Sequence, residues 1–377
     1  MNTVFKFEIL HQSKKSGARV GRIETAHGAF LTPAFVAVGT NGVLKAVDHV
    51  SIKDIDLPLV FANTYHLMLH PGEDVIDKAG GIHTFSGRDR PIITDSGGFQ
   101  VFSLAYGSVA SELKSSGAKK HGNSVLKTTE EGVVFRSYRD GKKIHLTPES
   151  SIIAQKKIGA DIIIPFDELP PYHMDEQALR RSLDRTHRWE MRSLNTHLSD
   201  PRHQAIYAVC HGGVNPDFRK ESARYLSEQA FNGFGIGGSL GKNREELAFV
   251  LDHTIPHLRP EAPRHLLGIG DIPAIGDSIP KGIDTFDSSY PTKAARHAVA
   301  FHPDQAVRLK STKHRESFIP IDDECPCFTC KHYTRAFLHH LFKANEATAH
   351  SLTTIHNLTY MMRYMARARE LILQDQL

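Results

Sequence analysis

Three aspartates in this 377-residue chain each close a short apolar run: Asp95 after PIIT, Asp167 after IIIPF and Asp287 after GIDTF. Two carboxylates can divide labour at a glycosidic carbon, one as nucleophile and the other as acid and base. A third can read a planar ligand by accepting hydrogen bonds from its N–H edge. Divalent-metal binding is the alternative chemistry, although such sites usually recruit histidine as well. Taken singly, each aspartate is explained as a helix N-cap. Taken together, with glycine turns beside them (Ser96-Gly97-Gly98, His211-Gly212-Gly213, Gly237-Gly238, Gly268-Ile269-Gly270), they predict one shared site. Phe99 supplies a ring on which a planar ligand can stack.

The elements that must carry these residues repeat regularly. Eight β-rich runs are predicted: 33–38, 58–62, 91–95, 161–167, 205–210, 233–237, 265–268 and 285–287. Several are near-continuous apolar stretches of the kind that parallel strands show when both faces are covered. Helical patterns separate them, for example Glu176–Leu194, Pro216–Ala230 and Arg244–His257. Eight such units predict a (β/α)₈ TIM barrel, whose catalytic residues gather at the carboxyl ends of its strands. A doubly wound open sheet is the competing arrangement. Residues 1–32 have another texture, FKFEIL and ARVGRIETAHGAFLTP, and predict an antiparallel sheet at the barrel floor. The expected organisation is thus an N-terminal β-sheet cap (1–32), a catalytic barrel (33–304) and a C-terminal zinc-binding subdomain with closing helices (305–377). Residues 105–122, rich in Ser, Gly and Lys without an apolar period, are expected to form a surface loop or lid.

Composition sets outer limits. Apolar residues make up 40% and charged residues 23%, as in an ordinary globular protein. A formal charge of +4 permits a polyanionic partner without requiring one. There is no uninterrupted apolar stretch for a membrane span and no apolar leader at the start, so a cytoplasmic location is expected. Of four cysteines, three crowd into Cys325-Pro-Cys327-Phe-Thr-Cys330, a C-x-C-x₂-C spacing that suggests a structural Zn²⁺ needing one more ligand. His332, His339, His340, His350 and His356 are all within reach, and spacing does not choose among them. Cys210 stands apart and reads as a packed strand residue.

DSGGFQVFSL, FDE, HGG, GGSLG, GIGD, GIDTFD and the cysteine cluster together resemble the tRNA-guanine transglycosylases, also called queuine tRNA-ribosyltransferases. The likeness runs from VGTNG after the first strand to TTIHNL near the end. It implies exchange of guanine at the wobble position (34) of G-U-N anticodon tRNAs (Asp, Asn, His, Tyr) for a 7-deazaguanine, either queuine or its aminomethyl precursor. On that resemblance Asp287 is the nucleophile that forms a covalent RNA intermediate, and Asp95 handles the base's proton. Base binding falls to Asp95, Ser96, Gly97, Gly98, Phe99, Asp167, His211, Gly238, Gly241, Leu267 and Gly268. RNA contacts fall to Gly268, Ile269, Gly270, Asp271, Ile272, Pro273 and Ala274, and to Thr292, Lys293, Ala294, Ala295 and Arg296. Cys325, Cys327, Cys330 and His356 match the zinc ligands. The resemblance further implies a homodimer, the tRNA anticodon stem-loop and a free 7-deazaguanine base as partners, and no nucleotide cofactor.

The chain departs from the bacterial pattern at several positions. His211 stands in place of Gln, Leu169 in place of Cys, Lys293 in place of Arg, and Ser288-Ser289-Tyr290 in place of Cys-Val-Met. Gly241 replaces Val, which leads us to expect extra room for queuine beside the purine's seven-position. Three rival functions make different demands on the chain. A non-catalytic RNA-binding partner subunit would have lost the aspartates. A metal-dependent hydrolase would use them as ligands. An archaeal D-loop relative carries a further RNA-binding domain.

Overall fold

The computed structural model describes residues 4–106 and 125–377, the side chains of 103–106 excepted. The expected lid at 105–122 therefore lies almost wholly outside the described residues.

Three antiparallel strands come first: β1 (Lys6–Gln12), β2 (Arg19–Thr25) and β3 (Gly28–Thr32), ordered β1-β2-β3. The barrel strands follow as β4 (Ala34–Val38), β5 (Leu59–Ala62) and β6 (Ile92–Thr94). An inserted three-stranded sheet, β7 (Val125–Thr128), β8 (Val133–Arg136) and β9 (Lys143–Leu146), interrupts the series. It resumes with β10 (Ile162–Ile163), β11 (Ala205–Cys210), β12 (Gly233–Ile236), β13 (Arg264–Leu266) and β14 (Thr285–Ser288). The eight form a closed parallel barrel in which β14 pairs back onto β4, Thr285 opposite Ala34 and Asp287 opposite Val36. Closure excludes the open sheet.

Why the ring closes is visible in its two layers. Inward side chains Val36, Leu59, Phe61, Ile93, Ile162, Ala205, Tyr207 and Val209 fill the centre, and Ile23 and Phe30 of the cap seal its floor. Alternate residues such as Phe35, Val60, Ile92, Ile163, Ile206 and Phe234 face outward and are covered by helices. Each strand therefore buries both faces, which is why these runs carry no polar alternation. Most observed strands are shorter than the runs predicted for them, whereas β11 matches its run and β14 extends one residue beyond it. The extreme case is 161–167, of which only Ile162–Ile163 pairs, because Ile164 gives its N–H and carbonyl to the Gln155 side chain and Pro165 has no N–H to donate to a ladder.

Helix Glu176–Ser199 outruns its predicted end at Leu194 by continuing to bury His197, and the side chain of Asp175 caps it. The predicted helix to His257 changes to a 3₁₀ turn at Ile255–His257, where Pro256 sits. The inserted sheet departs from the expected strand–helix rhythm. Its alternation (Val133 and Phe135 inward) and the Asp140-Gly141 turn nonetheless follow ordinary hairpin patterning. It packs Val133, Phe135 and Leu146 against Tyr65, Phe102, Phe166 and Trp189. The last helix, Thr348–Leu373, buries Leu358, Met361, Met365, Ala368 and Ile372 in the barrel's outer layer.

One polar device anchors the cap. Asp161 carries His27 Nδ1 on one oxygen (2.8 Å) and His83 Nε2 on the other (3.0 Å), and the two imidazoles stack at 3.5 Å. The three groups are close enough to suggest a metal site. However, parallel rings share no in-plane point at which one ion could meet both lone pairs. The pairing is instead a carboxylate clamp. Burial opposes the Asp161 charge, but the bonds from His27 and His83 hold its carboxyl well below the usual range.

Candidate active site

Strands β6, β10 and β14 deliver Asp95, Asp167 and Asp287 to one cavity of about 450 Å³ at the barrel's carboxyl mouth. Ser96, Phe99, Gly238, Leu267 and Gly268 share its lining. Phe99 is 47% exposed at the rim, and its ring is available for stacking.

Asp95 is the most enclosed of the three. Asn63 Nδ2 donates to its Oδ2 at 2.6 Å, and the backbone amides of Thr64 (2.8 Å) and Gly97 (3.2 Å) donate to Oδ1. Burial pushes its carboxyl up, against these bonds and one from Gln100, to about 6. A buried acid with that poise can give a proton and take it back near neutral pH. The N-cap reading of Asp95 is thus displaced: the amides converge on the carboxylate from β5's exit and from its own turn.

Asp287 is held on one side only. Gly268 N (2.8 Å) and His265 Nε2 (3.1 Å) both reach Oδ1, and neither falls on Oδ2. His265 is fully buried, and its Nδ1 lies 2.8 Å from Thr285 Oγ1. If the threonine hydroxyl donates to Nδ1, the proton sits on Nε2 and points at Asp287. Oδ2 is then the oxygen with its lone pairs available for attack. A φ of +73° at Gly268 aims that amide inward.

Asp167 accepts from Ser96 Oγ at 3.2 Å and meets His211 Nε2 at 2.9 Å. Expected to touch the base, His211 instead stands behind Asp167. It is 2% exposed, and a Cβ on Gly238 would lie 2.7 Å from its Nδ1. Its ring is therefore placed to orient the carboxylate. Glu168 turns away to Arg185.

Other expectations need correction. Gly241 is not in the cavity wall: with φ at +92°, a Cβ there would meet Glu246 Cβ at 2.4 Å. Its glycine answers to that turn and to Glu246, not to space beside a purine. In the 268–274 segment, Gly270 and Ala274 are buried, and Asp271 caps helix Ile272–Ser278 by accepting from Ala274 N. Thr292, Ala294 and Ala295 face inward on helix Tyr290–Arg296, where the last helix packs. Only Lys293 and Arg296 of that stretch are exposed and able to meet RNA. Conversely, Asn63, His66, Gln100 and His265 belong to the site without having been expected there. Asn63 and His66 follow strand β5 in FANTYH, so the strand-exit rule that finds the aspartates could have found them.

Away from the mouth, Cys325, Cys327, Cys330 and His356 converge, all ligand atoms within 4.8 Å of one another, and could hold a metal ion. His356 Nδ1 faces Cys330 Sγ (3.3 Å) and Cys327 Sγ (3.7 Å), while Nε2 lies 2.7 Å from the carbonyl of Phe301. That second bond fixes the proton on Nε2 and turns the bare Nδ1 lone pair toward the sulfurs. Tertiary packing thus selects His356 from five candidate histidines.

The match to known proteins is nearly end to end. Residues 13–377 fit the family described as queuine tRNA-ribosyltransferase. The chain belongs to this family. Proteins named queuine tRNA-ribosyltransferase from Protochlamydia amoebophila (strain UWE25) and Chlamydia felis (strain Fe/C-56) are 59% and 53% identical to it. The alignments cover 99% of this chain, with 96% of the first relative and 99% of the second. A Chlamydia pneumoniae relative of the same name is 52% identical over 373 residues. Membership in the queuine tRNA-ribosyltransferase family makes the chain a transferase. No helix among the described residues is long and apolar enough to cross a membrane.

Proposed function

We propose that this protein exchanges guanine at position 34 of G-U-N anticodon tRNAs for a free 7-deazaguanine, through a covalent Asp287–RNA intermediate. The observation that carries the reading is the convergence of Asp95, Asp167 and Asp287 on one cavity, each with a different hydrogen-bond environment. Extruding the nucleotide from its stack brings C1′ of the ribose to Asp287. Oδ2 attacks, the C1′–N bond to guanine breaks, and Asp95 gives the departing base a proton. An incoming base returns a proton to Asp95 and attacks C1′, expelling the Asp287 carboxylate. Two inversions retain the ribose configuration. The two donors on Oδ1 stabilise the carboxylate both before attack and as it leaves. Asp167, oriented by Ser96 and His211, accepts from the purine's N–H edge. The direct test is incorporation of labelled guanine into unmodified tRNA carrying a G-U-N anticodon. Absence of incorporation with a correctly folded protein would sink the reading.

We further propose that the cysteine cluster holds structural Zn²⁺. Three soft thiolates with one imidazole are the donor set zinc takes in closed sites. Chelation is expected to release about one zinc per chain and to lower the melting temperature by more than about 10 °C, since the metal closes the fold here. An unchanged melting curve after complete removal would count against a structural ion. The working form is proposed to be a cytoplasmic homodimer. Exposed Phe318, Phe328 and Phe337 near the metal cluster support self-association, which light scattering would measure.

A further inference from the structure

The inserted hairpin β8–β9 has a surface that the base-exchange site does not use. Between Arg136 and Lys143 it carries four cations, Arg136, Arg139, Lys142 and Lys143, against one carboxylate, Asp140. All five are exposed. Asp140 engages Lys142 at 3.2 Å, so the excess positive charge stays open to solvent. The turn itself is closed by Ser137 N to Lys142 O (2.9 Å) and Gly141 N to Ser137 O (2.9 Å).

At its centre stands Tyr138, 60% exposed. One face of its ring lies on the buried Tyr65, with centroids 6.0 Å apart and planes 26° from parallel. Its hydroxyl is 3.1 Å from His66 Nδ1, and His66 lines the catalytic cavity. The ring is thus held in place one side chain away from the mouth, with its remaining surface uncovered. An exposed tyrosine is not unusual. One pinned at an active-site rim, on a hairpin tip that carries four exposed cations, has the two parts of a single-stranded RNA contact, a stacking platform and phosphate partners.

We propose that the Arg136–Lys143 hairpin tip is an RNA-docking surface, with Tyr138 stacking on a nucleotide that flanks the extruded guanine. This rests on the base-exchange reading and adds to it a contact outside the catalytic cavity. The occupant is single-stranded RNA, because a duplex would offer Tyr138 no free base face.

The test uses the full-length protein, an anticodon stem-loop RNA and labelled guanine. Tyr138→Ala is expected to raise the KM for RNA about tenfold while the KM for guanine and kcat stay within about twofold. Tyr138→Phe keeps the ring and should recover most of the binding. The double variant Arg139→Ala/Lys143→Ala should flatten the slope of log kcat/KM against log salt by about 1.4, or about 0.7 for each single-strand phosphate no longer neutralised. Unchanged RNA KM in Tyr138→Ala, or an equal rise in guanine KM, would overturn the proposal, as would an unchanged salt slope. If the wild type binds the stem-loop but exchanges nothing, the base-exchange reading fails. Anisotropy titration of the same variants still decides the hairpin's part, since a fall in RNA affinity requires no turnover.

Discussion

Asp287→Asn is expected to reduce base exchange on the order of 10⁴-fold and to leave no denaturant-stable RNA adduct. The substitution is informative because it changes so little else. The amide oxygen of Asn can occupy the Oδ1 position and accept from Gly268 N and His265 Nε2, as the carboxylate does. Its NH₂ then takes the place of Oδ2, where a neutral amide nitrogen has no nucleophilic lone pair to offer. Affinity for the stem-loop should stay within a few-fold, because nothing outside the cavity is touched. The measurement is a denaturing gel of enzyme mixed with labelled RNA, run beside a single-turnover exchange assay. A stable adduct surviving in Asp287→Asn would remove Asp287 from the nucleophile's role.

The second large effect concerns Asp95 and has a sign in pH. Burial holds its carboxyl at about 6, so the acid form dominates below that pH and the carboxylate above it. Guanine departure needs the acid and should fall about tenfold per pH unit above 6. Resolution of the adduct by an incoming base needs the carboxylate, and should rise up to pH 6 and then level off. The two half-reactions are therefore expected to show opposite limbs with a shared midpoint. Adduct formation and adduct chase, measured separately across pH 5 to 8 in buffers of constant ionic strength, would show them. Asp95→Asn should lower both half-reactions by about 10²–10⁴-fold and flatten both profiles. Limbs that persist in that variant would assign the titration to another group. The same shift has a stability consequence. A carboxyl whose folded value lies above its unfolded one loses stability as pH rises from about 4 through 6. Asp95→Asn, which carries no charge to bury, should then be no less stable than the wild type at neutral pH. A site that destabilises the fold while serving the chemistry is a common trade.

Much of this is legible along the chain because the relevant signals are local. Eight apolar runs, each buried on both faces, announce parallel strands, and a polar residue where such a run stops announces the mouth. The same rule applies to Asn63 and His66, but their strand exit carries no aspartate to draw attention to it. It also overstates the RNA segments. Thr292, Ala294 and Ala295 fall on the buried face of a short helix, and a motif match does not know which residues of a helix face inward. Gly241 misleads for a related reason: a glycine demanded by backbone angle and one demanded by ligand space look alike in one dimension.

Readable in one dimension, then, are the repeat, the three aspartates at strand ends, the C-x-C-x₂-C cluster and membership in a family. These depend on neighbours a few residues apart or on motifs carried whole. Tertiary structure alone decided the division of labour. His211 lies 44 positions from Asp167 and His265 lies 22 from Asp287, yet each meets its carboxylate within 3.1 Å once the barrel closes. Asp95 reaches about 6 only because folding buries it, and the bonds from Asn63 and Thr64, about thirty residues upstream, keep it from rising further. Burial and hydrogen-bond count are properties of packed space, so three chemically identical side chains became three different reagents only when the ring closed around them.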